Sequence, residues 1–485
     1  MILRILGHKF RYECENLCRV FFPNEKIKVI EGPDGDDDIL VVTKYENGIS
    51  SVSVKYYDEC IDFKSQSNSD NTELTLAHLI YKCLTSVTGY TPPWGVLTGV
   101  RPSKLMTRLI SDLGDERANE YFKKDLLVSS AKTDLAYRVA KNEEKIINQS
   151  KPDSFSIYIS IPYCPSRCSY CSFVSHSIAG PAAKKLFPDY LKYLKKEIEI
   201  TGDIASKVNL RLESIYFGGG TPGILSAEQF NEIHESIKKS FDLSTLREYT
   251  VEVGRPDTVT YEKMDALKNA GVDRISINPQ TFNQSTLDTI GRKHSVEETF
   301  NAVECARKFN FKCLNMDLIA GLPGEKTEDF IISLDSTVNL SPENITVHSL
   351  ALKRSSSLNS SGKHVPEGNE ASKMLDYTYS CLNKKGYIPY YMYRQSKSVG
   401  NLENVGWSKE GFQGLYNVYM MEECHTVLAM GAGGVTKLCE PGGTKVKRVF
   451  NYKYPYEYVS GYDTIIKRKS EIMNFYINLE QKDVN

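Results

Sequence analysis

From residue 155 onward the chain alternates between two hydrophobic periods, and this constrains its fold more than any other feature. Strand-like runs "SIYISI", "SIYFGG", "YTVEV", "RISINP", "CLNMDLIAG" and "NITVHSLAL" are separated by helical stretches near 184–201, 226–240, 260–270, 284–309 and 326–339. A repeated strand–helix unit builds a parallel sheet through right-handed crossovers, with the working residues at the C-terminal ends of the strands. Six units are fewer than the eight of a closed barrel. The expectation is therefore an α/β fold: an open, partial (β/α)6 barrel over 151–365, extended or completed by a C-terminal region over 366–485.

The first 150 residues read differently. "DILVVTKYENGISSVSVKYYDEC" (38–60) holds two strand-like runs around an Asn-Gly pair, a strong hairpin signal, after the acidic loop "GPDGDDD". "TELTLAHLIYKCLTSVTGY" (72–90) has helical spacing, "TPPWGVLTGVRPSKL" (91–105) is rich in Pro and Gly, and 113–147 is again helical. The polar joint "NQSKPDSF" marks a boundary. This predicts an N-terminal α+β domain over 1–150, whose expected role is to shape substrate access or to dock a reductant.

Charge excludes some functions. Sixty basic against sixty-one acidic residues give a formal net charge of −1, so no global field draws nucleic acid or an anionic membrane. The opening "MILRILGHKFRYECENL" turns polar quickly, and no apolar run reaches bilayer-spanning length. A cytoplasmic location is expected, with most of the twelve cysteines reduced.

Three of those cysteines are different. "YISIPYCPSRCSYC" (158–171) spaces Cys164, Cys168 and Cys171 as C-x3-C-x2-C directly after the first strand. Four thiolates would close a tetrahedral zinc site, and a bare CxxC would suggest redox chemistry. Three thiolates can hold three irons of a cubane and leave the fourth open to a small molecule. The plainer alternative is three buried or zinc-binding cysteines with a further ligand from elsewhere.

With an aromatic residue, Tyr170, before its last cysteine, the motif resembles the signature of the radical S-adenosylmethionine enzymes, and "YFGGGTP" (216–222) resembles their companion glycine motif. The resemblance narrows along the chain. "YTVEVGRPD", "RISINPQTFN", "IGRKHS" and "MDLIAGLPGE" follow in the order of the oxygen-independent coproporphyrinogen III oxidase (dehydrogenase) family. "YYMYRQSKSVGNLENVGW" (390–407) and "MEECHTVLAMGAGGVTK" (421–437) are similar to its longer, HemZ-like branch. The resemblance implies a [4Fe–4S] cluster on Cys164, Cys168 and Cys171, and S-adenosylmethionine bound by Tyr170, Gly218, Gly219, Gly220, Thr221, Glu252, Gln280, Arg292 and Asp317. Tyr158 would shield the cluster or touch the substrate as a catalytic residue.

What the resemblance implies for chemistry is the conversion of two propionates of coproporphyrinogen III, or of a related tetrapyrrole, to vinyl groups by radical decarboxylation in haem biosynthesis. An electron donor and an electron acceptor are the further partners expected, with no nucleic acid and no membrane. Two other family activities stay open: radical ring-opening of haem by methyl transfer, and non-catalytic haem carriage. Lys353, Arg354 and Arg394 are candidates for holding propionates, since a cation pairs with a carboxylate. Two departures stand out: Ser160 where the better-known branch has a histidine, and Gly254-Arg255 where an acidic-proline pair is commoner. His176, His294, His348 and His425 show no metal-binding spacing, and "GAGG" (431–434) lacks the context of a dinucleotide loop.

Overall fold

Strands with alternating polar and apolar side chains must bury one face and keep the other for something polar. The computed structural model describes all residues except 33–34, 69, 172, 174, 352–367, 396–397, 444 and 484–485. The six expected strands are present: β1 (Ser154–Ile161), β2 (Arg211–Gly219), β3 (Glu248–Gly254), β4 (Arg274–Ile277), β5 (Cys313–Ala320) and β6 (Asn344–Ser349). They lie side by side in chain order, each pair parallel. Ile157, Ile159, Phe217, Val251, Ile275, Met316 and Val347 are buried on one face. Tyr158, Tyr216, Glu252, Ser276, Asp317 and His348 occupy the alternate positions. A parallel sheet buried on both sides usually reads as continuous aliphatic residues. Here one face is polar, which is the pattern of a lumen.

Helices α1 (Pro181–Lys207), α2 (Ala227–Ser240), α3 (Tyr261–Asn269), α4 (Gln284–Thr289), α5 (Val296–Arg307) and α6 (Thr327–Asn339) connect the strands. α2 and α5 open with capping boxes, Ser226 with Gln229 and Ser295 with Glu298. The single helical stretch expected over 284–309 is two helices. Residues 290–294 leave the helix, and Ser295 caps a new one.

The C-terminal region adds to both edges of this sheet. Beyond β6 come β7 (Ile388–Arg394) and β8 (Glu403–Ser408); beyond β1 come β9 (Thr426–Met430), β10 (Val435–Cys439) and β11 (Val446–Phe450), giving the order β7-β8-β6-β5-β4-β3-β2-β1-β9-β10-β11. β8 runs antiparallel to β6, and β9 runs parallel to β1. The helices of this region are α7 (Gly368–Lys384), α8 (Leu415–Glu422), α9 (Pro455–Ser460) and α10 (Tyr462–Asp483). The "GAGG" sequence is the turn between β9 and β10. Ser160 donates to the Ala432 carbonyl in that turn at 2.7 Å.

The chain divides into two compact units, one of Met1–Lys141 with Glu367–Lys373 and Met392–Asn404, the other of Asn142–Pro366, Met374–Tyr391 and Val405–Asn485. The first has a five-stranded sheet in the order Lys28–Ile30, Ile2–Leu6, Ile39–Glu46, Ile49–Tyr56, Glu59–Gln66. The expected hairpin turns at Asn47 and Gly48, both at positive φ, as a two-residue primed turn requires. Helices Arg11–Phe21 and Thr72–Thr88 bury Leu17, Leu76 and Ile80 with Leu3, Val41 and Val54. In this unit Glu403 is buried with Lys132 at 2.7 Å and accepts from the Trp94 indole at 2.7 Å. Arg394 Nη1 and Nε donate to the carbonyls of Leu97 and Asn401, at 2.7 and 3.0 Å, while its Nη2 is buried without a hydrogen-bond partner. Lys353 and Arg354 lie outside the described residues. No helix among the described residues is long and apolar enough to cross a membrane.

One buried ion pair tests the packing of the larger unit. Glu197 on α1 meets Lys469 on α10 at 2.9 Å with both side chains almost wholly buried, and it accepts further bonds from Gly431 N, Asn451 and Tyr458. Lys469→Met leaves a buried carboxylate without its countercharge, and the expected loss of stability is about 3–5 kcal/mol. Denaturant midpoints check this, and Glu197→Gln in the same chain should restore most of the loss.

Candidate functional site

The C-terminal ends of the strands converge on the cysteine loop. Tyr163–Cys164 forms a two-residue parallel bridge with His176–Ser177, and His176 N donates to the Pro162 carbonyl at 3.0 Å while Ile178 N donates to Cys164 O at 2.9 Å. The passage between is therefore stitched shut at its base. The end of β2 supports it: Gly220 N donates to Ile161 O and Thr221 N to Tyr163 O, each at 2.8 Å. A Cβ on Gly220 would stand 2.5 Å from the Tyr163 carbonyl, so only glycine lets β2 lie this close to the loop. Gly218 does a different job. Its missing side chain leaves a space bounded at 3.1 Å by the Tyr158 and Tyr216 rings and at 3.2 Å by Glu252 Oε2.

All three motif cysteines are half-buried free thiols in this one loop. Among the described residues, no three His, Cys, Asp or Glu side chains converge as the ligands of a single ion would. Thiolates that each take a different iron of a cubane need no such convergence.

The lumen beside the loop is aromatic and acidic. Tyr216 stacks on Tyr416 of α8 at 4.3 Å between centroids, and Tyr158 stacks beside both at 6.2 and 6.1 Å. The Tyr216 hydroxyl donates to the Glu252 carboxyl. Burial, with the charge of Asp317 adding to it, pushes Glu252 up to about 7. Burial also acts on Asp317, but His348 at 3.7 Å and hydrogen bonds from Asn315, at 2.8 Å, and Thr346 outweigh it and hold that carboxyl below its ordinary range. Two acids on one sheet face thus differ in protonation near neutral pH. Asp317 can accept hydrogen bonds from a cation or hydroxyl pair, whereas Glu252 can either donate or accept.

Two further residues complete the ring. Gln280 has φ +70° and is bonded through its backbone to β5, its N–H to Asp317 O at 2.9 Å and its carbonyl to Ile319 N at 3.0 Å. Its Oε1 and the Oδ1 of Asn278 are buried without a partner. Orphaned acceptors of this kind suit a donor-bearing ligand. Arg292 comes from the non-helical 290–294 segment. Its Nη1 donates to Asn278 O at 2.6 Å, while Nε and Nη2 donate to the Tyr170 hydroxyl at 3.2 and 3.0 Å. Three of the five guanidinium N–H groups are used, which leaves two for a carboxylate.

Tyr158, Cys164, Cys168, Tyr170, Cys171, Gly218, Gly219, Gly220, Thr221, Glu252, Gln280, Arg292 and Asp317 lie in this region or in the strands that end at it, whereas Arg394 belongs to the other unit and Lys353 and Arg354 lie outside the described residues. Tyr216, Tyr416 and His348 were not foreseen as site residues. Tyr216 had a signal, because it stands two positions before Gly218 and so on the same face. Tyr416 had none. It is placed by Glu248, which accepts from Leu415 N and Tyr416 N at 2.7 and 3.0 Å and so docks the start of α8 at the opposite end of β3. His425 is buried, and its ring nitrogens bond the Ser150 and Ser156 hydroxyls at 3.0 and 2.8 Å. It is structural.

The radical SAM superfamily model matches residues 158–336. Over 464 residues the chain is 35% identical to the oxygen-independent coproporphyrinogen-III oxidase-like protein HemZ of Bacillus subtilis, covering 94% of this chain and 92% of that protein. It is 30% identical over 310 residues to the heme chaperone HemW of Haemophilus influenzae, covering 63% of this chain and 76% of the other. Among solved structures, coproporphyrinogen III oxidase HemN from Escherichia coli, a radical SAM enzyme, aligns with a TM-score of 0.52 at 21% identity, over 67% of this chain and 72% of that one. At that identity the likeness speaks for the fold.

The raised carboxyl has a consequence for stability. Glu252 moves from 4.5 to about 7 on folding, so between those values the native state binds more protons than the unfolded chain, and stability falls as pH rises through the window. Glu325, raised by burial to about 7, acts in the same direction. Glu252→Gln should flatten part of the decline in unfolding free energy across this window and Glu325→Gln another part. Denaturant titrations at a series of pH values measure this; an unchanged slope in Glu252→Gln would mean its carboxyl ionises normally.

Proposed function

We propose, from the premise that this chain belongs to the radical S-adenosylmethionine superfamily and within it to the family of HemZ and HemN, that it catalyses the oxidative decarboxylation of coproporphyrinogen III to protoporphyrinogen IX. Proteins of the superfamily carry a [4Fe–4S] cluster and S-adenosylmethionine. When bound, this pair supplies a carbon radical that takes one hydrogen atom from substrate. The observation that carries the reading is the joint placement of the C-x3-C-x2-C loop, the glycine end of β2, and the Glu252 and Asp317 carboxyls at the ends of parallel strands.

In this reading Cys164, Cys168 and Cys171 hold three irons. Gly218, Gly219, Gly220 and Thr221 give the methionine part of the cofactor a wall of backbone. The two free N–H groups of Arg292 pair with a carboxylate, for which a planar fork is well shaped. Asp317 accepts from hydroxyl or ammonium groups, Glu252 shares a proton with its ligand, and the orphaned Gln280 Oε1 gains a donor. Tyr158, stacked with Tyr216 and Tyr416, forms an aromatic wall against which a macrocycle can lie and excludes water from the reacting carbon. The reaction needs no strong base. The acceptor of the remaining electron, the reductant and the cations for the propionates are further partners of this reading.

The similarity to a heme chaperone favours a second reading, haem binding without turnover. The extent of the likeness to HemZ supports the first, since that relative runs along the N-terminal unit as well, whereas the chaperone covers under two thirds of this chain.

A product assay separates them. Anaerobic protein with reconstituted cluster, S-adenosylmethionine, a strong reductant, an electron acceptor and coproporphyrinogen III should yield a tetrapyrrole lighter by two carbon dioxides and four hydrogens, together with 5′-deoxyadenosine, by mass spectrometry. Intact porphyrinogen with 5′-deoxyadenosine would overturn the substrate, and tight haem binding with neither product would favour carriage. Cys164→Ala, Cys168→Ala and Cys171→Ala should each abolish iron and sulfide content and turnover, while Cys60→Ala, at an exposed thiol of the other unit, should change none of these.

A further inference from the structure

The sheet has an irregularity at its working end. β3 breaks register against β4 between Glu252 and Gly254, and Gly254 takes φ +81°. A bulge re-aims the side chain that follows it, and glycine allows the turn. That side chain is Arg255, only 2% exposed, standing where the better-known branch carries a different pair. Its Nη1 donates to Ser166 Oγ at 2.6 Å, and its Nε and Nη2 fork onto the Asp257 carboxylate at 2.8 and 2.7 Å. Thr258 Oγ1 donates to the Arg255 carbonyl at 2.7 Å and fixes its backbone.

Ser166 lies in the spacer between Cys164 and Cys168. The other spacer, between Cys168 and Cys171, is held by Arg292 on Tyr170. Each spacer of the motif is therefore held by one buried guanidinium, Arg255 from the end of β3 and Arg292 from the segment between α4 and α5. A buried guanidinium is costly unless it is paired, and Asp257 supplies the pair, so the loop is gripped without a net charge being added beside it. A loop held in shape gives up less conformational freedom when it takes its ligand.

We propose that Arg255, set on its bulge and balanced by Asp257, is a positioning residue that holds the first cysteine spacer through Ser166 and so shapes the loop before the cluster is loaded. This rests on the cluster reading above and is independent of which tetrapyrrole is the substrate.

The test reconstitutes wild type, R255Q, R255K, S166A and the R255Q/S166A double variant with iron and sulfide under anaerobic conditions. It then follows the loss of the cluster's visible absorbance to an iron chelator and records the EPR spectrum of the reduced protein with and without S-adenosylmethionine. R255Q and S166A should each lose the cluster on the order of tenfold faster, the effect of one charge-assisted hydrogen bond. The double variant should be no faster than R255Q, because Ser166 acts through Arg255. R255K, which keeps the charge but cannot fork onto Asp257 and reach Ser166 together, should fall between R255Q and wild type. The EPR signal should broaden in S166A as the loop samples more than one geometry. If R255Q does not fold, S166A, which removes only a hydroxyl, carries the test. Wild-type retention in S166A, or additive losses in the double variant, would overturn the latch and leave the cluster reading intact. A wild-type protein that takes up no cluster would overturn both.

Discussion

A parallel sheet that is apolar on one face only is the constraint on which the rest of the larger unit depends. The helices cover the apolar face in the usual way. The polar face must find partners, because a buried polar group without one costs about as much as a good core contact contributes. At the N-terminal ends of the strands the partners come from the chain itself. Glu213 is met by Ser154, Arg211 and Arg247, and Arg274 by Glu248, Asn344 and the Phe412 carbonyl. Past the C-terminal ends, Gln280 Oε1 and Asn278 Oδ1 are buried acceptors with nothing donating to them. These acceptors stand in the same region as the cysteine loop and the Glu252 and Asp317 carboxyls.

The same sheet explains why Glu252 and Asp317 differ. Both lie on the polar face and both lose water. Asp317 has a histidine and hydrogen-bond donors close by, whereas the partner of Glu252 is a tyrosine hydroxyl, which donates one bond and brings no charge. Two carboxyls of like burial are thus separated by their neighbours alone.

Much of this was legible in the sequence because its signals are local. Strand order followed from period and spacing, the cysteine loop from three residues in eight positions, and the hairpin of the first unit from Asn47 and Gly48. What escaped was set by distance or by a single backbone angle. Nothing in the sequence around Gln280 announces a positive φ. The split of the 284–309 stretch could have been seen, since Gly291 and the Ser295–Glu298 capping pair stand inside it, but apolar spacing on either side masked them. Arg394 sits in a tyrosine-rich run that looked ligand-facing, yet it is buried over the Trp94 ring and donates to the Leu97 carbonyl, both brought from far along the chain. Tyr416 reaches the lumen only because Glu248 caps the helix that carries it.

The placement of β9 beside β1 sets an order of events in synthesis. Ser160, on the strand that leads into the cysteine loop, meets its partner Ala432 across 272 residues of chain. Until the residues of β9 have left the ribosome, β1 has one paired edge at most, and an unpaired edge is both slow to find its mate and open to wrong ones. The strand that bears the loop is thus among the first of the core to be made and among the last to be enclosed. For about half of translation its thiols stand on an unfinished border, a period in which premature oxidation or mispairing competes with maturation.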